Sequence, residues 1–159
     1  MWDRFHLVQN FNELINDERK AEADRVKDRE HYQGLFSGKQ KWIFLKRASK
    51  RTESEARHIN EILQLNDKMA KLELIKERFH QMFDCTNPDD AENVLFEVYQ
   101  WSCQLECWKI VEYLMSLREA KEFWNYFTHR FTTSVVEGIN RGKSTSLGSF
   151  FFLWVIHFY

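Results

Sequence analysis

At 159 residues, 43% hydrophobic and 16% aromatic, the chain has enough apolar material for one folded domain and is excluded from the disordered class. Charged residues make up 30% but the net charge is only −1, so no global basic field announces a nucleic-acid partner and any such contact must rest on a local patch. One Pro and five Gly leave few breakers, which favours long helices and a mainly α fold.

Three cysteines, Cys85, Cys103 and Cys107, show no paired spacing, and no signal pattern opens the chain, so a reducing cytoplasm is the expected compartment. Cys103 and Cys107 are four positions apart and share a helix face, with His80 the nearest upstream ligand candidate. Structural zinc sites carry tight Cys-x-x-Cys pairs, so buried free thiols are the favoured reading over a zinc site.

In chain order, Asp3 is placed to cap a helix beginning near Arg4, and Leu7, Val8, Phe11, Leu14 and Ile15 give it an amphipathic face. From Asn16 to Glu30 the charges alternate in sign, as in a solvated helix continuing outward, until Gly34 and Gly38 interrupt it. The basic run KQKWIFLKRASKR follows, with Lys39, Lys41, Lys46, Arg47, Lys50 and Arg51 around an apolar centre that includes Trp42. Such a run suits phosphate contact beside an aromatic anchor, or else is a plain segment with lysines in water. Thr52-x-x-Glu55 is a capping box that starts a helix through Ile59 and Ile62. Asn66-Asp67 marks a break before a stripe of Met69, Leu72, Ile75, Phe79, Met82 and Phe83. TNPDD at 86–90 signals another helix start, with Pro88 in the first turn and acids at the positive end of the dipole. Further stripes run through Val94 and Val98, through Trp108, Val111 and Leu114, and through Phe123, Trp124 and Phe127. These stripes read as core.

Two acids bracket this body. Glu137 is the lone carboxylate of HRFTTSVVEGIN at 129–140, and Asp3 lies in WDRFHLV. Each has a local explanation: Ser134-x-x-Glu137 is a capping box for a helix beginning at Val135, and Asp3 is an N-cap.

Taken together, DRFHLVQ at 3–9 and HRFTTSVVEGIN at 129–140 resemble the second and third catalytic blocks of bacterial insertion-sequence transposases of the DDE, ISL-three type. WIFLK, LIKERFHQMF and EFWNYFTHRFT resemble the family in style and order, and the likeness covers roughly residues 3–140. It implies an RNase H-like α/β core interrupted by a helical insertion, and metal-dependent DNA cleavage and strand transfer. By the resemblance Asp3 and Glu137 are catalytic carboxylates and ligands of Mg2+, whose preference is for hard oxygen donors. His6 and Asn140 are candidate neighbours of that site. The implied partner is DNA, at transposon ends, with self-association a further option and no membrane partner.

The same resemblance divides the chain into a remnant of the catalytic core at 1–15, a helical insertion at 16–128, the third-carboxylate block at 129–142 and an atypical tail at 143–159. The family's first carboxylate belongs to a strand upstream of Met1, so the expectation is an incomplete core and a fragment inactive by itself. After Asn140 the family continues in a basic helix, whereas residues 150–159 here are all apolar or aromatic except His157. Ten residues are too few to span a bilayer, and an exposed run of this kind is an aggregation hazard. The rival expectation is a non-catalytic helical module that binds DNA or a protein through 39–51.

Overall fold

The computed structural model describes residues 3–28 and 38–135. Among them the regular structure is helical throughout, in accord with the mainly α expectation. The helices are α1 (Arg4–Val26), α2 (Gly38–Leu45), α3 (Glu53–Leu65), α4 (Asp67–Met82), α5 (Pro88–Gln104), α6 (Trp108–Glu119) and α7 (Lys121–Val135), with one 3-10 turn at Ala48–Lys50.

Local chemistry sets most of the boundaries. Asp3 caps α1 by accepting the His6 N–H. Thr52 and Glu55 form the reciprocal capping box at the start of α3. Asn66 ends α3 and starts α4, its side chain accepting the Met69 N–H. Asn87 caps α5, with Pro88 at the first helical position and Asp89 and Asp90 in the first turn.

The α5–α6 turn gave no such signal in the sequence. The Cys107 N–H bonds Ser102 O at 3.0 Å and the Glu106 N–H bonds Cys103 O at 3.0 Å, which is a Schellman closure. It requires a left-handed residue, and Glu106 takes that place at φ 56° where glycine is usual.

Helix α4 is the centre of the packing, against α1, α3 and α5, while α6 closes on α1 and α5, and α7 on α5 and α6. An aromatic spine joins three of them. Phe11 of α1 stacks on Phe79 of α4 with centroids 3.7 Å apart, Phe83 follows edge-on, and Phe127 of α7 lies 6.0 Å from Phe83. All four rings are buried. The Tyr113 hydroxyl ties α6 to α1 by donating to Leu7 O at 3.0 Å.

Two expectations are corrected. The charged stretch after Asn16 is not wholly solvated: Asn16, Arg19, Glu22 and Val26 are buried. Their three- and four-residue spacing continues the Leu7–Phe11–Ile15 face, so the polar side chains on that stripe turn inward. Arg19 donates twice to Asn16 Oδ1, at 3.0 and 3.1 Å. Glu22 accepts from Arg25 and from Asn66 Nδ2, each at 2.6 Å, and so holds the α3–α4 junction. Secondly, α7 runs on to Val135, so Ser134 lies inside a helix and does not cap a new one at Val135. Helices are set chiefly by the packing of their apolar face, and that of α7 outweighs the hydroxyl cap signal. Helix α1 also runs unbroken across residue 15, and α7 across residue 128.

Replacing Glu106 with Gly relieves the left-handed strain and is expected to stabilise the fold by about 1 kcal/mol. Urea unfolding of the two chains measures it, and an unchanged or lowered midpoint in Glu106→Gly would count against the Schellman assignment.

Candidate functional site

The first candidate acid is positioned by its own capping role. Asp3 is in extended backbone, its Oδ1 accepts the His6 N–H at 2.9 Å, and its Oδ2 lies 2.8 Å from His6 Nδ1. The His6 backbone N–H, and then the His6 ring, hold the Asp3 carboxyl below the ordinary aspartate value. At neutral pH Asp3 is therefore an ionised, solvent-facing carboxylate, and His6 is its partner. Carboxylate oxygens are the hard donors that a divalent cation prefers, and the Asp3 side chain is 40% exposed. Glu137 and Asn140 lie outside the described residues. Among the described residues, no group of three or more His, Cys, Asp or Glu side chains is arranged to hold a metal.

The basic run is built differently from a plain charged face. Helix α2 turns Phe44 and Gln40 inward and leaves Trp42 70% exposed. Below it, Lys76 of α4 is buried completely and donates to Phe44 O, to Lys46 O and to Glu73 Oε2, the last two both at 2.9 Å. Arg51 reaches the same place from the other side. Its guanidinium is bidentate to Glu73, at 2.7 and 3.0 Å, and also donates to Ile43 O and Phe44 O. Two cations thus cap the C-terminal carbonyls of α2, where the helix dipole favours positive charge, and Glu73 balances both. Burial pushes the Lys76 ammonium below its ordinary value, and Glu73 opposes that shift. Glu77 completes the group, 3.2 Å from Lys76 and accepting the Ala48 N–H at 2.9 Å.

The remaining cations of the run divide in two. Lys46 pairs with Glu55 at 2.8 Å, and Arg47 with Asp84 at 2.8 Å. Lys41 lies over the Trp42 ring at 4.7 Å, and Lys50 is exposed with no ion pair among the described residues. Lys39 belongs to α2, but its side chain lies outside the described part. The sequence reading did not single out Glu73 and Lys76. Their signal was there: both fall on the inward stripe of α4 between Met69, Leu72 and Phe79, where a charge needs a built partner.

In class, the described chain is an all-helical body with an exposed capping acid at its first helix and a cation-rich helix anchored on its flank. No helix among the described residues is long and apolar enough to cross a membrane. A family model described as transposase, of the ISL-three DDE type, matches residues 1–145, and the chain belongs to that family of insertion-sequence transposases. Neither the curated proteins nor the solved structures give a match to it.

The residues weighed as zinc ligands have other surroundings. All three cysteines are free, and Cys107 is buried with its thiol pushed up to about 12 by burial. His80 lies in α4, with Nε2 3.1 Å from Asn12 Oδ1 of α1 and a buried Nδ1 that has no hydrogen-bond partner. Burial lowers its pKa from 6.5 to about 4, Lys76, Arg47 and Arg4 add to the shift, and Glu77 opposes it. Unfolded His80 takes up a proton as the pH falls through 6.5, whereas the folded imidazole stays neutral until about 4. Stability should therefore fall across that window, by on the order of 3 kcal/mol from this group. Chemical unfolding at pH 7 and pH 4.5 should show a markedly smaller loss in His80→Gln than in the parent; equal losses would contradict the buried neutral imidazole.

Proposed function

We propose that the chain carries two of the carboxylates of a DDE transposase site, Asp3 and Glu137, and acts in metal-dependent DNA cleavage and strand transfer. The family match over 1–145 is the observation that carries this reading. The ionised, exposed state of Asp3 fits it, since a carboxylate already held in its charged form needs no proton loss to receive a cation. Bound Mg2+ would activate the attacking oxygen and stabilise the leaving oxygen of an in-line displacement at phosphorus.

The chain's own groups have separate tasks. Asp3 offers carboxylate oxygen from the N-cap of a long helix, which fixes its position relative to the body. His6 orients that carboxylate through two contacts and keeps it ionised. Glu137 supplies the second carboxylate, and Asn140 lies three positions beyond it in sequence. The run 39–51 contacts the DNA backbone, with Lys41 and Lys50 on phosphate and Lys46, Arg47 and Arg51 holding the run in place through Glu55, Asp84 and Glu73. DNA at transposon ends is the partner in this reading.

Paramagnetic Mn2+ tests the pairing without requiring turnover. Titrated into the isotope-labelled chain, it should broaden the amide resonances of 3–7 and of 134–140 together, and Asp3→Asn should reduce the broadening at both. Broadening confined to one segment, or insensitive to Asp3→Asn, would show that the two acids do not share a cation.

A further inference from the structure

Six cations fall between Lys39 and Arg51 with no acid among them, and the fold uses them unequally. The Arg51 side chain is buried on Glu73, while Lys46 and Arg47 are paired with Glu55 and Asp84. Lys50, beyond the α2 C-terminus in sequence, is exposed, and Lys41, within α2, is half-buried; neither has an ion pair among the described residues. Between the two anchoring positions Gln40 and Phe44 stands Trp42, about 200° around the helix from Gln40 at roughly 100° per residue. Its ring is 70% exposed and carries the Lys41 ammonium at 4.7 Å.

An exposed indole with one lysine ammonium over its ring, in a run that holds a second exposed lysine, specifies its ligand by chemistry. The lysines require an anion, and the ring face requires a flat, weakly polar group. A nucleic-acid strand supplies both at the spacing of one nucleotide. In a duplex the base faces are covered by their neighbours, so only an unpaired base can lie on the ring. Among the described residues the other strongly exposed tryptophan, Trp108 at 59%, serves as an internal contrast. Lys109 follows it directly, but Glu106 and Glu112 stand on either side, so its sequence neighbours carry no positive excess for a phosphate.

We propose that Trp42, with Lys41 and Lys50, forms a stacking site for an unpaired nucleotide of a DNA strand. This rests on the DNA reading of the family above and adds to it which form of DNA the helical body takes. Arg51, Lys46 and Arg47 present the site and do not themselves contact the strand. A corollary is a shallow salt dependence: two lysines on a single strand give a slope of log affinity against log salt of about −1.4, and six cations would give about −4.

The full 159-residue chain can be titrated with a short fluorescent oligothymidine strand and with the same strand in a duplex, over a range of salt. The strand should bind more tightly than the duplex. Trp42→Ala should weaken strand binding by about ten-fold or more, as loss of one stacked base requires. Trp42→Phe should recover part of it, and Trp108→Ala should leave it unchanged. Because Trp42 is exposed, its loss should leave the helical circular dichroism intact. If Trp42→Ala binds the strand as well as the parent does, or if duplex and strand bind alike, the stacking site is overturned while DNA binding by the family body survives. If neither DNA binds at all, the DNA role proposed for 39–51 falls with it.

Discussion

Glu73 is the residue on which the flank of this molecule depends. One carboxylate, in the middle of the central helix, holds both Lys76 and Arg51 at hydrogen-bond distance in a site closed to water. Those two cations in turn satisfy the Ile43, Phe44 and Lys46 carbonyls, which a short helix such as α2 would otherwise leave without partners. Eight residues are too few for a helix to persist alone in water, so α2 exists because its end is fixed to α4. Phe44 packs beneath the same cations, with Lys76 5.3 Å from its ring centre.

A buried ionic group of this kind is a poor source of net stability, since desolvation offsets most of the attraction. What it supplies is position. An apolar contact would hold α2 against α4 in several registers, whereas the bidentate arginine and the fully buried lysine accept one. That fixed register determines which cations of the basic run are drawn inward and which remain outside. It also determines that Trp42, rather than Ile43 or Phe44, faces away from the body. Removal of Glu73 alone would leave Arg51 without its carboxylate and Lys76 with only Glu77, at a cost of about 3–5 kcal/mol. Phe44 joins the same buried core as the aromatic spine Phe11–Phe79–Phe83–Phe127, so the anchored α2 also contributes to the packing of the body.

The capped helices were legible in the sequence because their signals are local. Thr52 with Glu55, Asn66, and Asn87 with Pro88 each act within one turn, and the structure starts helices at those places. Apolar periodicity was equally readable, as with Phe79 and Phe83. What sequence reasoning could not supply was long-range or contrary to propensity. The buried face of Asn16, Arg19 and Glu22 looked like a solvated surface because its partner Asn66 lies 44 positions from Glu22. The Glu106 turn carried no glycine, and Ser134 carried a cap signal that α7 overrides. At the site, the six cations were visible, but their division into holding and facing groups depends on Glu55, Glu73 and Asp84, which lie outside the run. Asp3 was legible as a cap; its pairing with Glu137 rests on the family resemblance, since no local rule connects residues at opposite ends of a chain.

Hydrogen exchange read by mass spectrometry tests the central dependence most directly. Glu73→Gln keeps the shape of the side chain and removes its charge. Exchange of the 40–51 amides should accelerate by about a hundred-fold to a few thousand-fold in that variant, the factor set by unbalancing the buried cations. Peptides from α5 and α6 should keep the protection they have in the parent chain. Unchanged exchange over 40–51 would contradict the account, because α2 would then be held by its apolar contacts alone.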